Sequence, residues 1–153
     1  MPSHFIELKH FRQQWDGDCL ATCADMVLQQ LGKQVSRRRL RRLMRIREGL
    51  GTPFYNISRL EKLGVRVERH EGGTMELLKA ALERGHPCIV SVKAGELPHW
   101  LEPAQHAVVV VGMSDKKVWI HDPEFVMAPI PVPIGDFDLA WLGMGERFAI
   151  ITD

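Results

Sequence analysis

Gln105-His106-Ala107-Val108-Val109-Val110-Val111-Gly112-Met113-Ser114-Asp115-Lys116-Lys117-Val118-Trp119-Ile120-His121-Asp122-Pro123 is the stretch on which the reading of the fold turns. Residues 107–113 and 118–120 are apolar runs of strand length, rich in β-branched side chains, and the polar residues 114–117 between them make a short connection. The pattern predicts two strands of an antiparallel meander. Residues 88–92 and 148–152 read as further strands of the same sheet.

Upstream the period changes. Leu20, Cys23, Ala24, Val27, Leu28 and Leu31 recur at helical spacing over residues 18–30, with Gly32 to end the helix. Ser36 caps a second helix with the stripe Leu40, Leu43, Met44 and Leu50. Thr52-Pro53 opens a third helix closed by Gly64, and Thr74 caps a fourth over residues 75–84. Residues 65–70 alternate like a half-buried strand, and Asp136 caps a short helix running to Leu142. A helical half followed by an antiparallel sheet half is the α+β class. With no repeat or linker in view, residues 1–153 form a single domain.

At 153 residues, 45% hydrophobic and 25% charged, the chain has the composition of an ordinary soluble domain, which excludes disordered and collagen-like classes. Its longest uncharged apolar stretch, residues 125–135, contains three prolines and is far shorter than the ~20 residues a bilayer needs. No membrane insertion is expected. Met1-Pro2-Ser3-His4, followed by Glu7, Lys9 and His10, does not read as a signal peptide. Three cysteines cannot all pair, so a reduced, cytoplasmic protein is expected. The net charge of +1 hides an asymmetry: Arg37, Arg38, Arg39, Arg41, Arg42, Arg45 and Arg47 sit on a body of 13 basic against 19 acidic residues. Two readings stand, a solvated helix face and a surface for an acidic partner. A pI of about 7.8 and the lack of a nucleic-acid motif count against nucleic acid.

Among the three thiols, Cys88 lies in an apolar strand and Cys23 on the apolar face of the first helix, where cysteine is ordinarily a small hydrophobe. Cys19 instead opens a helix after the turn-forming run Gln14-Trp15-Asp16-Gly17-Asp18. There unpaired backbone N–H groups stabilise a thiolate and can line an oxyanion hole. Asp16 and Asp18 oppose that ionisation unless their carboxylates face elsewhere. A thiolate nucleophile needs a histidine. His4, His10 and His70 lie near the terminus or a strand end and are expected to be exposed, and His86 sits in a Gly-His-Pro turn. His106 stands at the mouth of the long apolar strand. If the next strand folds back antiparallel, Asp122 returns beside His106 and can accept its second ring N–H. No Cys/His spacing matches a zinc site: His99 and His106 are separated across Pro103, and adjacent strand residues such as His121 and Asp122 face opposite sides. No cofactor is expected.

Gln13, six residues before Cys19, extends the pattern. Gln13-x5-Cys19 opening a helix, Cys23, Gly85-His86-Pro87-Cys88-Ile89-Val90, His106 leading a strand and Asp122-Pro123 after the next resemble the papain-like cysteine peptidases. The similarity is nearest to the bacteriocin-processing, double-glycine peptidase domains of peptide-exporting ABC transporters. The resemblance implies a papain-like fold with Cys19 as nucleophile, His106 as base and acid, Asp122 orienting His106, and Gln13 with the Cys19 amide as oxyanion donors. It implies a peptide or small-protein substrate cut after small residues such as Gly-Gly. The same fold also serves as a non-catalytic peptide-binding module, and the same Cys-His pair as a thiol acyltransferase or deamidase. Leu20 stands where the family usually has glycine, adding a side chain beside the nucleophile. With no transmembrane or ATPase segment in the chain, a stand-alone domain is expected.

Overall fold

Apolar residues at three- and four-residue spacing bury one face of helix α1 (Cys19–Gln30), and Gly32 just beyond it takes the left-handed φ of +80° that ends a helix. The computed structural model describes residues 5–153, so the expected exposure of His4 lies outside the described residues. Helix α2 (Arg37–Leu43) begins where expected, with Ser36 Oγ accepting from the Arg39 amide. It ends earlier than the sequence stripe implied. Arg45 turns left-handed at φ +56° and the Ile46 amide donates back to Arg41 O at 2.9 Å, so Leu50 lies beyond the helix, exposed.

The expected third helix is a 3₁₀ helix, Phe54–Leu63, closed by Gly64 at φ +86°. Its buried apolar residues Phe54, Ile57 and Leu60 fall at every third position, which matches the three-residue turn of a 3₁₀ helix rather than the α-helical period. Strand β1 (Arg66–His70) and helix α3 (Met75–Glu83), capped by Thr74 on the Leu77 amide, complete the first half.

Strands β2 (Cys88–Lys93), β3 (Gln105–Met113) and β4 (Lys117–His121) follow the meander. One strand escaped the sequence reading, β5 (Ile130–Pro133), and it leads directly into helix α4 (Ile134–Leu142). Asp136 therefore lies within the first turn of α4 instead of capping it. Strand β6 (Phe148–Thr152) is the last. The six strands form one antiparallel sheet in the order β1-β6-β2-β3-β4-β5. The last strand in sequence thus lies between β1 and β2.

Strands β2 and β3 are buried at nearly every residue. Since successive strand residues face opposite sides, both faces of the sheet centre are covered. Helix α1 packs on β3, and α4 packs on β2. Within α4 Phe137 packs against Trp141, and Trp141 meets Phe148 of β6 edge to face at 6.1 Å. Such pairs add about 0.5–1.5 kcal/mol beyond their area burial. Among the described residues no helix is long and apolar enough to cross a membrane.

The N-terminal segment crosses to the sheet before entering the helices. Ile6 N donates to Val111 O at 2.9 Å, and Gln13 N donates to Pro123 O at 2.7 Å. The second bond joins the loop ahead of Cys19 to the end of β4, one residue past Asp122.

Candidate active site

Gly17 decides how the chain enters α1. It sits at φ +85°, and a Cβ there would lie 2.4 Å from Leu50 O, so the segment after α2 rests directly on the turn before Cys19. Asp18 precedes the helix but makes no side-chain cap, which leaves the first-turn amides uncapped beside Cys19. Its buried carboxylate turns to α2. Arg37 Nη1 reaches Asp18 Oδ2 at 3.2 Å and Thr22 Oγ1 at 2.9 Å, and Arg37 Nη2 reaches Asp25 Oδ2 at 3.1 Å. Arg41 Nε stands 3.2 Å from Asp18 Oδ1. The Asp18 charge next to Cys19 is thereby paired inside the protein. Two of the seven arginines are therefore interior partners rather than a solvated face, and leaving such buried carboxylates unpaired would cost about 3–5 kcal/mol.

His106 is buried near the start of β3, with Nε2 2.6 Å from Asp122 Oδ1. The sheet register explains the meeting. Val109 pairs with His121, which sets Asp122 past the end of β4 opposite Val108, on the same face as His106 two residues away. Asp122 Oδ2 also takes His99 Nε2 and Trp100 Nε1, each at 2.8 Å, and Oδ1 takes the Glu124 amide at 3.1 Å. Burial pushes the Asp122 carboxyl up, but these donors, His106 first and then His99, hold it well below the usual carboxylate range. An ionised carboxylate only accepts, so His106 donates its Nε2–H and keeps Nδ1 for the thiol side. Burial likewise opposes charge on His106. The Asp122 hydrogen bond and the neighbouring Cys19 sulfur outweigh it and raise His106 to about 9.

His99 and Trp100 were not singled out from the sequence. They sit in an irregular loop with no periodicity, and their only signal is an aromatic-His pair shortly before the His106 strand. The Trp100 ring lies 4.8 Å from the His106 ring, and Phe125 packs edge-on against both His99 and Trp100. The three aromatics shield the His106–Asp122 bond from water.

Cys19 and His106 face each other across a cleft of about 380 Å³, which Leu20, Gly51, Thr52, Pro53, Phe54 and Arg147 also line. Leu20 forms part of its wall. Gln13 is half-buried in the loop ahead of Cys19, its Nε2 donating weakly to Trp15 O at 3.4 Å, and it is not among the residues lining the cleft. Cys23 and Cys88 are fully buried; burial pushes Cys88 up to about 12 and Cys23 well above the ordinary thiol range.

The expected exposure of His10 and His70 is corrected. His70 is half-buried and stacks on Phe148 at 4.6 Å. His10 binds Phe125 O at 2.7 Å and His121 Nδ1 at 3.1 Å. Its segment lies along the sheet, so a position near the terminus did not mean solvent. Burial, and then the neighbouring His10, lower His121 to about 4. Among the described residues no group of three or more His, Cys, Asp or Glu side chains could hold a metal ion.

Solved structures show the same fold. A C39-like peptidase from Bacillus anthracis superposes with a TM-score of 0.78 at 19% identity, covering 97% of this chain and 97% of that one. The peptidase domain of Streptococcus ComA, a bifunctional ABC transporter of a quorum-sensing pathway, gives 0.74 at 21% identity, covering 95% and 97%. A double glycine motif protease from an AMS/PCAT transporter, solved with its leader peptide, gives 0.75 at 20% identity, covering 98% and 94%. Among curated proteins none matches the sequence. The model of the peptidase C39 family matches residues 7–145. With that match spanning most of the sequence, and with a papain-like α+β fold, this chain belongs to the peptidase C39 family of cysteine peptidases.

Proposed function

We propose that this cysteine peptidase works through a Cys19-His106-Asp122 triad on a peptide or small-protein tail. The observation that carries the reading is the stacking of three requirements in one place: a thiol at an uncapped helix N-terminus, a histidine across the cleft, and a buried ionised carboxylate fixing that histidine's tautomer. The Cys19 thiolate attacks the scissile carbonyl carbon. The tetrahedral oxyanion then collapses and the C–N bond breaks as His106 gives its proton to the departing amine. Water, deprotonated by His106, attacks the thioester and releases Cys19. The Cys19 amide and the Gln13 side-chain amide are the oxyanion donors; the weak Gln13–Trp15 bond is exchanged for the substrate. Gln13→Ala should cost roughly 10²–10³ in kcat, and unchanged turnover would remove Gln13 from the mechanism.

A small P1 residue such as glycine suits a cleft that Leu20 narrows, and a relative of the same fold is a double glycine motif protease. Residues 1–153 act as one peptidase domain, and three free thiols support a cytoplasmic setting.

The test is iodoacetamide labelling against pH, read at each cysteine by peptide mass mapping. Cys19 should label rapidly and selectively, and more slowly in His106→Ala, while Cys23 and Cys88 stay slow. Labelling of Cys19 no faster than that of Cys23 and Cys88, or indifferent to His106→Ala, would remove the ion-pair mechanism.

A further inference from the structure

We propose that a track of basic side chains leading out of the cleft docks an acidic stretch of the peptide substrate; this rests on the peptidase reading above. Gly51 and Pro53 line the cleft and also an adjoining groove of about 390 Å³ walled by Arg45, Arg47 and Arg59. Arg45 and Arg59 in turn line the next groove, of about 370 Å³, together with Arg39, Arg42 and Lys62. Catalytic cleft and basic grooves are therefore one continuous path, sharing residues at each junction.

The charges along it are free. Among the described residues Arg37 and Arg41 of this cluster are ion-paired, inward, whereas Arg39, Arg42, Arg45, Arg47, Arg59 and Lys62 have no acidic partner within 4 Å. Arg39, Arg42, Arg45, Arg47 and Lys62 are exposed. Arg45 also occupies a backbone position suited to glycine, at φ +56° just past the end of α2. An arginine there, with its side chain shared by both grooves, serves the surface at the expense of the helix end.

An extended peptide with several Asp or Glu residues beside its cleavage site matches this path in charge and shape. Nucleic acid fits less well: the track opens into a cleft built for peptide chemistry, and the chain outside the seven clustered arginines holds 13 basic against 19 acidic residues, which repels a long polyanion.

The experiment uses three fluorescein-labelled probes on the full chain: a peptide of consecutive glutamates ending in Gly-Gly, its lysine counterpart, and single-stranded oligothymidine. Anisotropy reports binding, and slowed iodoacetamide labelling of Cys19 reports occupancy of the cleft. The glutamate peptide should bind at least about tenfold more tightly than the lysine peptide at low salt, weaken as salt rises, and protect Cys19. R45Q/R47Q/R59Q should lose about tenfold in that affinity and keep the wild-type labelling rate of Cys19 without peptide. Arg45→Gly should weaken binding while leaving the thermal midpoint equal or higher, a split that a structural role for Arg45 would not produce. Equal binding of the two peptides, indifference to the triple substitution, or tighter oligothymidine binding through the same arginines without protection of Cys19 would each overturn the proposal. An ordinary Cys19 thiol in the probe-free protein would instead count against the triad, since the binding readout does not depend on it.

Discussion

Cys19→Ala should lower hydrolysis of an internally quenched Gly-Gly peptide by a factor on the order of 10⁶ in kcat. Among the described residues the other hydroxyls bordering the cleft, Thr52 and Ser91, have no histidine hydrogen-bonded to activate them. His106→Ala should lose nearly as much, since in the proposed triad thiolate and imidazolium act as one unit whose losses do not add. Folding should survive Cys19→Ala, since Cys19 is only partly buried and alanine is the stronger helix former. Cys23→Ala provides the contrast: a small cavity in the core, some loss of thermal midpoint and full chemistry. Comparable loss of turnover at Cys23 would show that inactivation follows from misfolding, and the nucleophile assignment would fall.

Asp122→Ala should cost less turnover than His106→Ala, but its effect reaches both stability and pH dependence. The carboxylate serves four donors, and its loss strands the N–H groups of His106, His99 and Trp100 around a buried site. Destabilisation of about 3–5 kcal/mol is expected. His106 is raised to about 9 in the fold, so its contribution to stability is full below its unfolded pKa near 6.5 and is lost as pH rises through about 9. Asp122 is depressed, so its contribution is present above the ordinary carboxylate pKa and is lost as pH falls through the folded value. The deficit of the alanine variant should therefore be largest between about pH 4 and 6.5, shrinking toward acid and also as pH rises through about 9. The alkaline limb of kcat/KM, set by the proton His106 gives to the leaving amine, should fall from near 9 in the parent toward 6.5 or below. Denaturant melts and pH–rate profiles read the two effects separately. An unmoved alkaline limb would mean that Asp122 does not hold the proton on His106.

Much of this architecture was legible because local signals agreed with the final packing. The caps at Ser36 and Thr74, the stop at Gly32 and the hairpin between β3 and β4 are decided within a few residues, and the structure follows them. The same hairpin carried the inference that Asp122 returns to His106, since antiparallel register needs only turn position and strand length. What was not legible depended on distant partners. β5 is an Ile-Pro-Val-Pro segment, and prolines are tolerated in it because it is an edge strand whose neighbour is β4 alone. Arg37 and Arg41 looked like their exposed neighbours, since nothing local says that Asp18 and Asp25 will be buried facing them. His99, Trp100, His10 and His121 lie in segments that acquire meaning only once the loop after β2 and the N-terminal segment close over Asp122 and Phe125.

The place of β6 between β1 and β2 bears on the order in which the protein is made. The thiol is translated early, and the histidine and aspartate follow 87 and 103 residues later. At about 5–20 residues per second, the nascent chain carries an ordinary, unactivated cysteine for several seconds. Residues 148–152 slot between β1 and β2, strands already synthesised, so the sheet that carries His106 is complete only after they are made.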